Sequence, residues 1–100
     1  MSPANLDFHP RAVAEARAAW RWYARRSATA AHQFVAELDH AVARIAAAPD
    51  RWPVYLHGTR VYRLRRFPFL VVYQELPTAL QVVAVAHGRR RPGYWRRRLP

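Results

Sequence analysis

Apolar residues recur at helical spacing through the first half of the chain and then switch to a strand pattern. Leu6-Asp7-Phe8 reads as a short strand. His9-Pro10 opens a helix, because proline suits the first helical position, where its missing N–H would be unpaired anyway. Ala12, Val13, Ala16, Ala19, Trp20 and Tyr23 then form a helical stripe. Arg11, Glu15, Arg21, Arg25 and Arg26 fall largely off it. Ser27 predicts the cap of a second helix, whose stripe runs Ala31, Phe34, Leu38, Ala41, Val42 and Ile45. Pro49 ends that helix, since proline disfavours helix at the residue before it. The spacing assigns Trp20, Tyr23 and Phe34 to the core. The two helices are expected to pair as an antiparallel hairpin with one shared apolar face.

From Thr59 to Arg66 the pattern becomes TRVYRLRR, large apolar residues alternating with arginine. Phe67 to Tyr73 is an apolar strand with Pro68 near its start, where a strand tolerates it. Leu76-Pro77-Thr78 supplies a turn, and Leu80 to Ala86 is a further Val-rich strand. Strands joined this closely must be antiparallel, because a parallel pair needs a long crossover. The fold class is therefore α+β, with an N-terminal helix hairpin packed on a three- to four-stranded antiparallel sheet. If Tyr62 and Leu64 point into the core, Val61, Arg63 and Arg65 point the other way. That leaves the second sheet face partly open and basic. Trp52-Pro53 reads as a latch at the helix–sheet junction.

Length and charge narrow what such a fold does. The 100 residues suffice for one domain. A hydrophobic content of 52% excludes a disordered polar chain. Seventeen basic residues, all arginine, oppose six acids, for a net charge of +11. Nucleic acid or an acidic protein is thus the expected partner class. Arginine also presents a planar fork of donors to phosphate and carboxylate, although a GC-rich genome favours the same codons. The absence of cysteine excludes disulfides, thiolate metal sites and cysteine nucleophiles, and fits a cytoplasmic location. No run approaches the length of a membrane span, and Met1 to Asn5 lacks the order of a signal peptide. His32, His40 and His57 have no metal-site spacing, so neither a metal nor another cofactor is expected. No Gly-rich phosphate loop, Ser-His-Asp set or helix-turn-helix signature appears.

The order of motifs carries more than any one of them. Pro49 and Trp52-Pro53 come first, then Arg60, then Arg66-Phe67-Pro68-Phe69 leading to Val72-Tyr73. Val83 to His87 follows, closed by Arg90-Arg91-Pro92-Gly93-Tyr94-Trp95. In the N-terminal half, Phe8-His9-Pro10, Ala14, Glu15, Trp22-Tyr23, Phe34 and Leu38 agree. This series resembles the RelE/ParE superfamily of toxins from type II toxin–antitoxin modules, over nearly the whole chain. The resemblance implies two helices against a small antiparallel sheet. It implies an antitoxin partner, often acidic where it wraps the toxin, which suits a charge of +11. It also implies one of two activities. ParE-like members poison DNA gyrase, whereas RelE-like members cleave mRNA on the ribosome.

Metal-free RNA cleavage uses the 2′-OH as nucleophile and needs a proton acceptor, phosphate clamps and help for the leaving oxygen. By resemblance, Arg63, Arg65 and Arg90 would clamp phosphate, and Tyr94 would contact a base or move a proton. His87 titrates nearest neutrality and is the acid–base candidate; the alternative is that it caps the strand end. RelE-like nucleases carry a further arginine where this chain has Leu70. The nuclease set is thereby one donor short, so the ParE-like, gyrase-directed reading leads. The ribosome-dependent endonuclease stands second, and a non-toxic basic module for RNA or an acidic protein third. Whatever the target, Arg63, Arg65, Arg90 and Tyr94 are the expected binding residues. Trp95 is expected to fold back on the core and anchor the tail.

Overall fold

Local signals set the ends of both helices. In the computed structural model, which describes residues 5–100, α1 spans Pro10–Ala24 and α2 spans Ala28–Ala47. Met1 to Ala4, most of the start expected to lack signal-peptide order, lies outside the described residues. His9 Nδ1 accepts the Arg11 N–H at 3.0 Å, and Ser27 Oγ accepts the Ala30 N–H at 3.1 Å. Each bond satisfies a donor that the helix itself cannot. The two helices pack against one another as expected. Among the described residues, no helix is long and apolar enough to cross a membrane.

The strands are β1 (Asn5–Phe8), β2 (Arg60–Arg63), β3 (Phe69–Glu75) and β4 (Ala79–His87), in the order β1-β4-β3-β2. β2, β3 and β4 are antiparallel neighbours, as their short connections require. The tightest link is Pro77-Thr78, closed by paired bonds between Leu76 and Ala79. β1, however, runs parallel to β4, with Leu6 opposite Leu80 and Phe8 opposite Val82. The sheet is therefore mixed, which corrects the expectation of a purely antiparallel one. The short-connection argument holds only for strands that follow one another. β1 reaches β4 through both helices and two other strands, a crossover long enough for parallel pairing.

One sheet face lies under the helices. Tyr62, Leu64, Val71, Tyr73, Val82 and Val85 join Ala12, Ala19, Phe34, Leu38, Ala41 and Ile45 in the main core. The Tyr73 hydroxyl donates to Pro49 O at 2.6 Å; burial, only partly opposed by Arg60, pushes its pKa up to about 12. Tyr62 and Leu64 thus point inward as the alternation predicts. Phe34 is the hub of an aromatic corner, with Tyr23, Phe67 and Phe69 rings 5.4–5.5 Å from its own. Trp20 is not core: it is 43% exposed. The buried stripe of α1 is the narrower Ala12–Ala16–Ala19–Tyr23 line, and Trp20 lies on its flank, one helical step beyond Ala19. Small residues on that line let α1 close on β4.

The second face is not open either. Val61, Val72, Val83, Ala84 and Ala86 form a second cluster with Trp95, which is 1% exposed. Tyr55, Leu70, Tyr94 and Leu99 pack around it. The tail after β4 covers this face because Trp95 buries a large ring there, the anchoring the sequence predicts. Gly93 makes the turn into the tail with φ +84°, and a Cβ there would come within 3.4 Å of His57 Nε2. Trp52 meets Tyr62 edge-on at 4.7 Å, consistent with a latch between the end of α2 and β2.

Phe34→Ala empties the aromatic corner and is expected to cost about 3–5 kcal/mol in a urea titration. A loss below about 1 kcal/mol would mean that the corner is not the hub of the core.

Candidate functional site

β1 ends its pairing at Val82, where the His9 N–H donates to Val82 O at 2.9 Å. Beyond that point, among the described residues, β4 has no strand neighbour on that side. Its free backbone groups are taken up by side chains instead. The Val85 N–H donates to Glu15 Oε1 at 3.0 Å, and Arg98 Nη1 donates to Val83 O at 3.0 Å. Arg98 also forms a bidentate pair with Glu15, both N···O distances being 2.9 Å. The Tyr94 hydroxyl donates to Glu15 Oε2 at 2.5 Å. One carboxylate from α1 thus ties together the strand and the tail.

The electrostatics follow from that geometry. Burial pushes the Glu15 carboxyl up, but the bonds from Arg98, Tyr94 and Val85 outweigh it and hold the group below its ordinary value of 4.5. Burial, the bond to Glu15 and its charge all drive the Tyr94 phenol well above its ordinary value of 10.0. The bond to Glu15 raises the Arg98 pKa further, so that guanidinium stays charged.

A groove of about 420 Å³ opens beside this junction. Trp22, Tyr23, Pro68, Phe69 and Val85 make its apolar wall, and Glu15, His87, Arg90 and Tyr94 its polar side. The Arg90 guanidinium lies 3.8 Å above the Tyr94 ring, a cation–π contact that holds the arginine over the groove. His87 faces the Phe69 ring edge-on at 5.1 Å, and its Nδ1 accepts the Arg89 N–H at 3.0 Å. With Nδ1 accepting, a neutral imidazole carries its proton on Nε2.

Arg63 and Arg65 lie elsewhere. They line a separate hollow of about 400 Å³ at β2, with Arg44, Trp52, Pro53, Val61 and Tyr62. The Arg65 and Arg66 N–H groups both donate to the Glu37 carboxylate of α2, which fixes the chain after β2. Leu70, opposite Arg63 in the β2–β3 pair, packs with the Trp95 cluster. The five sequence-predicted residues therefore fall into two groups: His87, Arg90 and Tyr94 line one hollow, Arg63 and Arg65 the other. Among the described residues, no cluster of three or more His, Asp or Glu side chains could hold a metal ion.

The family model for the ParE toxin of type II toxin–antitoxin systems, parDE, matches residues 6–92. The chain belongs to the ParE toxin family. Several solved structures share its fold, among them the following two. One is the chromosomal ParDE toxin–antitoxin system from P. aeruginosa, with a TM-score of 0.74 and 18% identity, covering 84% of this chain and 95% of that one. The other is the E. coli toxin RelE, a double arginine-to-alanine mutant in the free state, with a TM-score of 0.59 and 23% identity. It covers 87% of this chain and 85% of that one. A comparison with curated proteins finds no match.

Three residues of this candidate site are not singled out by the sequence as contact residues. Trp22 stands 50% exposed on the groove wall. Glu15 had a visible signal, being the one acid among the residues of α1. Arg98 had none, because nothing separates it from Arg96 and Arg97 in the run.

Glu15→Ala leaves the Arg98 guanidinium buried without its partner and is expected to cost about 2–4 kcal/mol in a denaturant titration. The pH dependence has a definite sign. A carboxyl held below its unfolded value contributes stability that is complete above about 4.5 and lost as pH falls through the folded value. The toxin should therefore lose stability below that pH, and Glu15→Gln should flatten the loss. An equal slope in the variant would show that Glu15 is not the responsible group.

Proposed function

We propose that the toxin arrests growth by binding DNA gyrase without hydrolytic chemistry, and that an antitoxin with an acidic binding segment neutralises it. The observation that carries this reading is the division of the nuclease-type residues between two hollows. Cleavage of RNA needs proton transfer and phosphate clamping at a single phosphodiester. Here the Tyr94 hydroxyl is held by Glu15 with its pKa raised, which disfavours proton transfer. His87 Nδ1 is engaged by a backbone N–H, which leaves the neutral ring a donor rather than a base on its other nitrogen. The strand position of the missing arginine holds Leu70.

A binding role asks less of these residues. Arg90 and Tyr94 form one rigid contact element through their stacking, and the apolar groove beside them offers Trp22 and Phe69 to a partner side chain. Arg63 and Arg65, both exposed, supply a second contact patch. Interfaces concentrate affinity in aromatic and arginine residues of this kind. An acidic antitoxin segment would find complementary charge along both patches. The ribosome-dependent endonuclease remains the second reading, favoured by the same Arg63, Arg65, His87, Arg90 and Tyr94.

Purified toxin should inhibit supercoiling by gyrase, and added antitoxin should reverse the inhibition. Arg90→Ala should weaken inhibition by about tenfold, the loss of one interface hot spot. Normal supercoiling, together with mRNA cuts in the ribosomal A site by primer extension, would replace this reading with the second. If expression of the toxin alone causes no growth arrest, a non-toxic binding module is the better description.

A further inference from the structure

The arginines on the solvent face of α1 take no part in the site described above; of that face, Ala18 alone borders the groove. Arg11, Ala14, Arg17, Ala18, Arg21 and Arg25 are all exposed, and helical geometry places them on the side opposite the buried Ala12–Ala16–Ala19–Tyr23 line. Arg17, Arg21 and Arg25 follow one another at i, i+4 spacing and form the ridge, while Arg11 stands about 120° round the helix from Arg17. Like charges at that spacing weaken a helix. Arg11 also stands in the first turn, where the helix dipole disfavours a cation. The fold does nothing to relieve this. The one acid of α1, Glu15, is bound to Arg98, Tyr94 and Val85. Among the described residues, the only ion pair is Arg98 with Glu15. The sole hydrogen bond of the ridge guanidiniums among the described residues is a long one, from Arg25 Nε to Arg21 O at 3.4 Å.

We propose that this arginine ridge binds the sugar–phosphate backbone of duplex DNA, independently of sequence. Phosphate relieves the repulsion that the fold leaves in place, and arginine forks match it bidentately. Arg17 to Arg25 spans about 12 Å at the helical rise. The small, exposed Ala14 and Ala18 lie beside the arginines, so the ridge can approach a groove closely. The same alanines argue against a single strand, which needs aromatic platforms between its cationic contacts; Trp20 and Trp22 lie on the flanks. Double-stranded RNA closes its major groove to side chains, whereas that of B-form DNA admits a helix. The inference rests on α1 alone and does not depend on gyrase being the target.

The test is fluorescence anisotropy of a labelled DNA duplex with purified toxin in the absence of gyrase, across ~50–200 mM salt. Arg17→Gln, Arg21→Gln and Arg25→Gln together should lower affinity at least tenfold at low salt. They should also flatten the slope of log affinity against log salt by ~2–3, at ~0.9 per phosphate contact. A control variant, Arg89→Gln with Arg91→Gln and Arg97→Gln, removes the same charge elsewhere and should lose clearly less. Equal losses in the two variants, or an unchanged slope in the first, overturn the proposal. Poly-glutamate competing as well as unlabelled duplex would reassign the ridge to an acidic protein, and equal binding of double-stranded RNA would remove the preference for DNA. Because the substitutions relieve repulsion, the triple variant should melt no lower than the parent. If it fails to fold, Arg21→Gln alone must lower the slope by ~1, and an unchanged slope then overturns the ridge.

Discussion

The Glu15 carboxylate accepts hydrogen bonds from Val85, Tyr94 and Arg98, which belong to a strand and to the tail, and it belongs to a helix. Their lengths run from 2.5 Å for Tyr94 to 3.0 Å for Val85, and three of the four come from side chains that line or support the groove. Hydrogen bonds to a charged group contribute about 1.5–3 kcal/mol each, so this junction outweighs any exposed contact nearby. It also solves a problem that the topology creates. β1 is too short to cover β4 to its end, and the uncovered Val83 and Val85 backbone groups would otherwise lack partners. The tail meets that need on one side, through Arg98, while Trp95 buries its ring on the sheet's second face.

The arrangement explains why the groove is preorganised. Among the described residues, Arg90 has no acid partner of its own; it lies on the Tyr94 ring, whose hydroxyl is set by Glu15. A partner that meets Arg90 therefore meets a group already held in place, and less conformational freedom is lost on binding. The same bond that orients Tyr94 disfavours its ionisation. In this toxin, orientation and acid–base availability are opposed at one hydroxyl, and the geometry favours orientation.

Periodicity made much of this legible. The helix limits, the Ser27 cap, the inward Tyr62 and Leu64 and the buried Trp95 all follow from spacing and residue type. What it missed depends on long-range choices. A strand as short as β1 shows its composition but not its partner, so the parallel pairing with β4 could not be read. Trp20 fits a broad apolar stripe equally well on paper, but the close approach of α1 to β4 selects the small residues instead. The register of β3 and β4 shifts near Val72 and Tyr73. Val83 and Ala84 consequently share the second face, and Val85 and then His87 fall on the helix side. Simple alternation from Val82 would have sent His87 the other way. The family resemblance supplied Arg90 and Tyr94 but gave no hint that Arg63 and Arg65 would line a different hollow.

The strip from His87 to Trp95 thus comprises a strand end, an arginine stacked on Tyr94 and a folded-back anchor, with Tyr94 bound by one acid from the first helix. Amide hydrogen exchange at Val85, compared between the native toxin and Glu15→Ala, which removes the acceptor, measures that hold directly. Strong protection is expected at Val85 in the native protein. In the variant, protection should be lost there and through the tail around Trp95, while the β3–β4 pairing keeps its own. Unchanged protection at Val85 and in the tail would contradict the claim that Glu15 fixes the site.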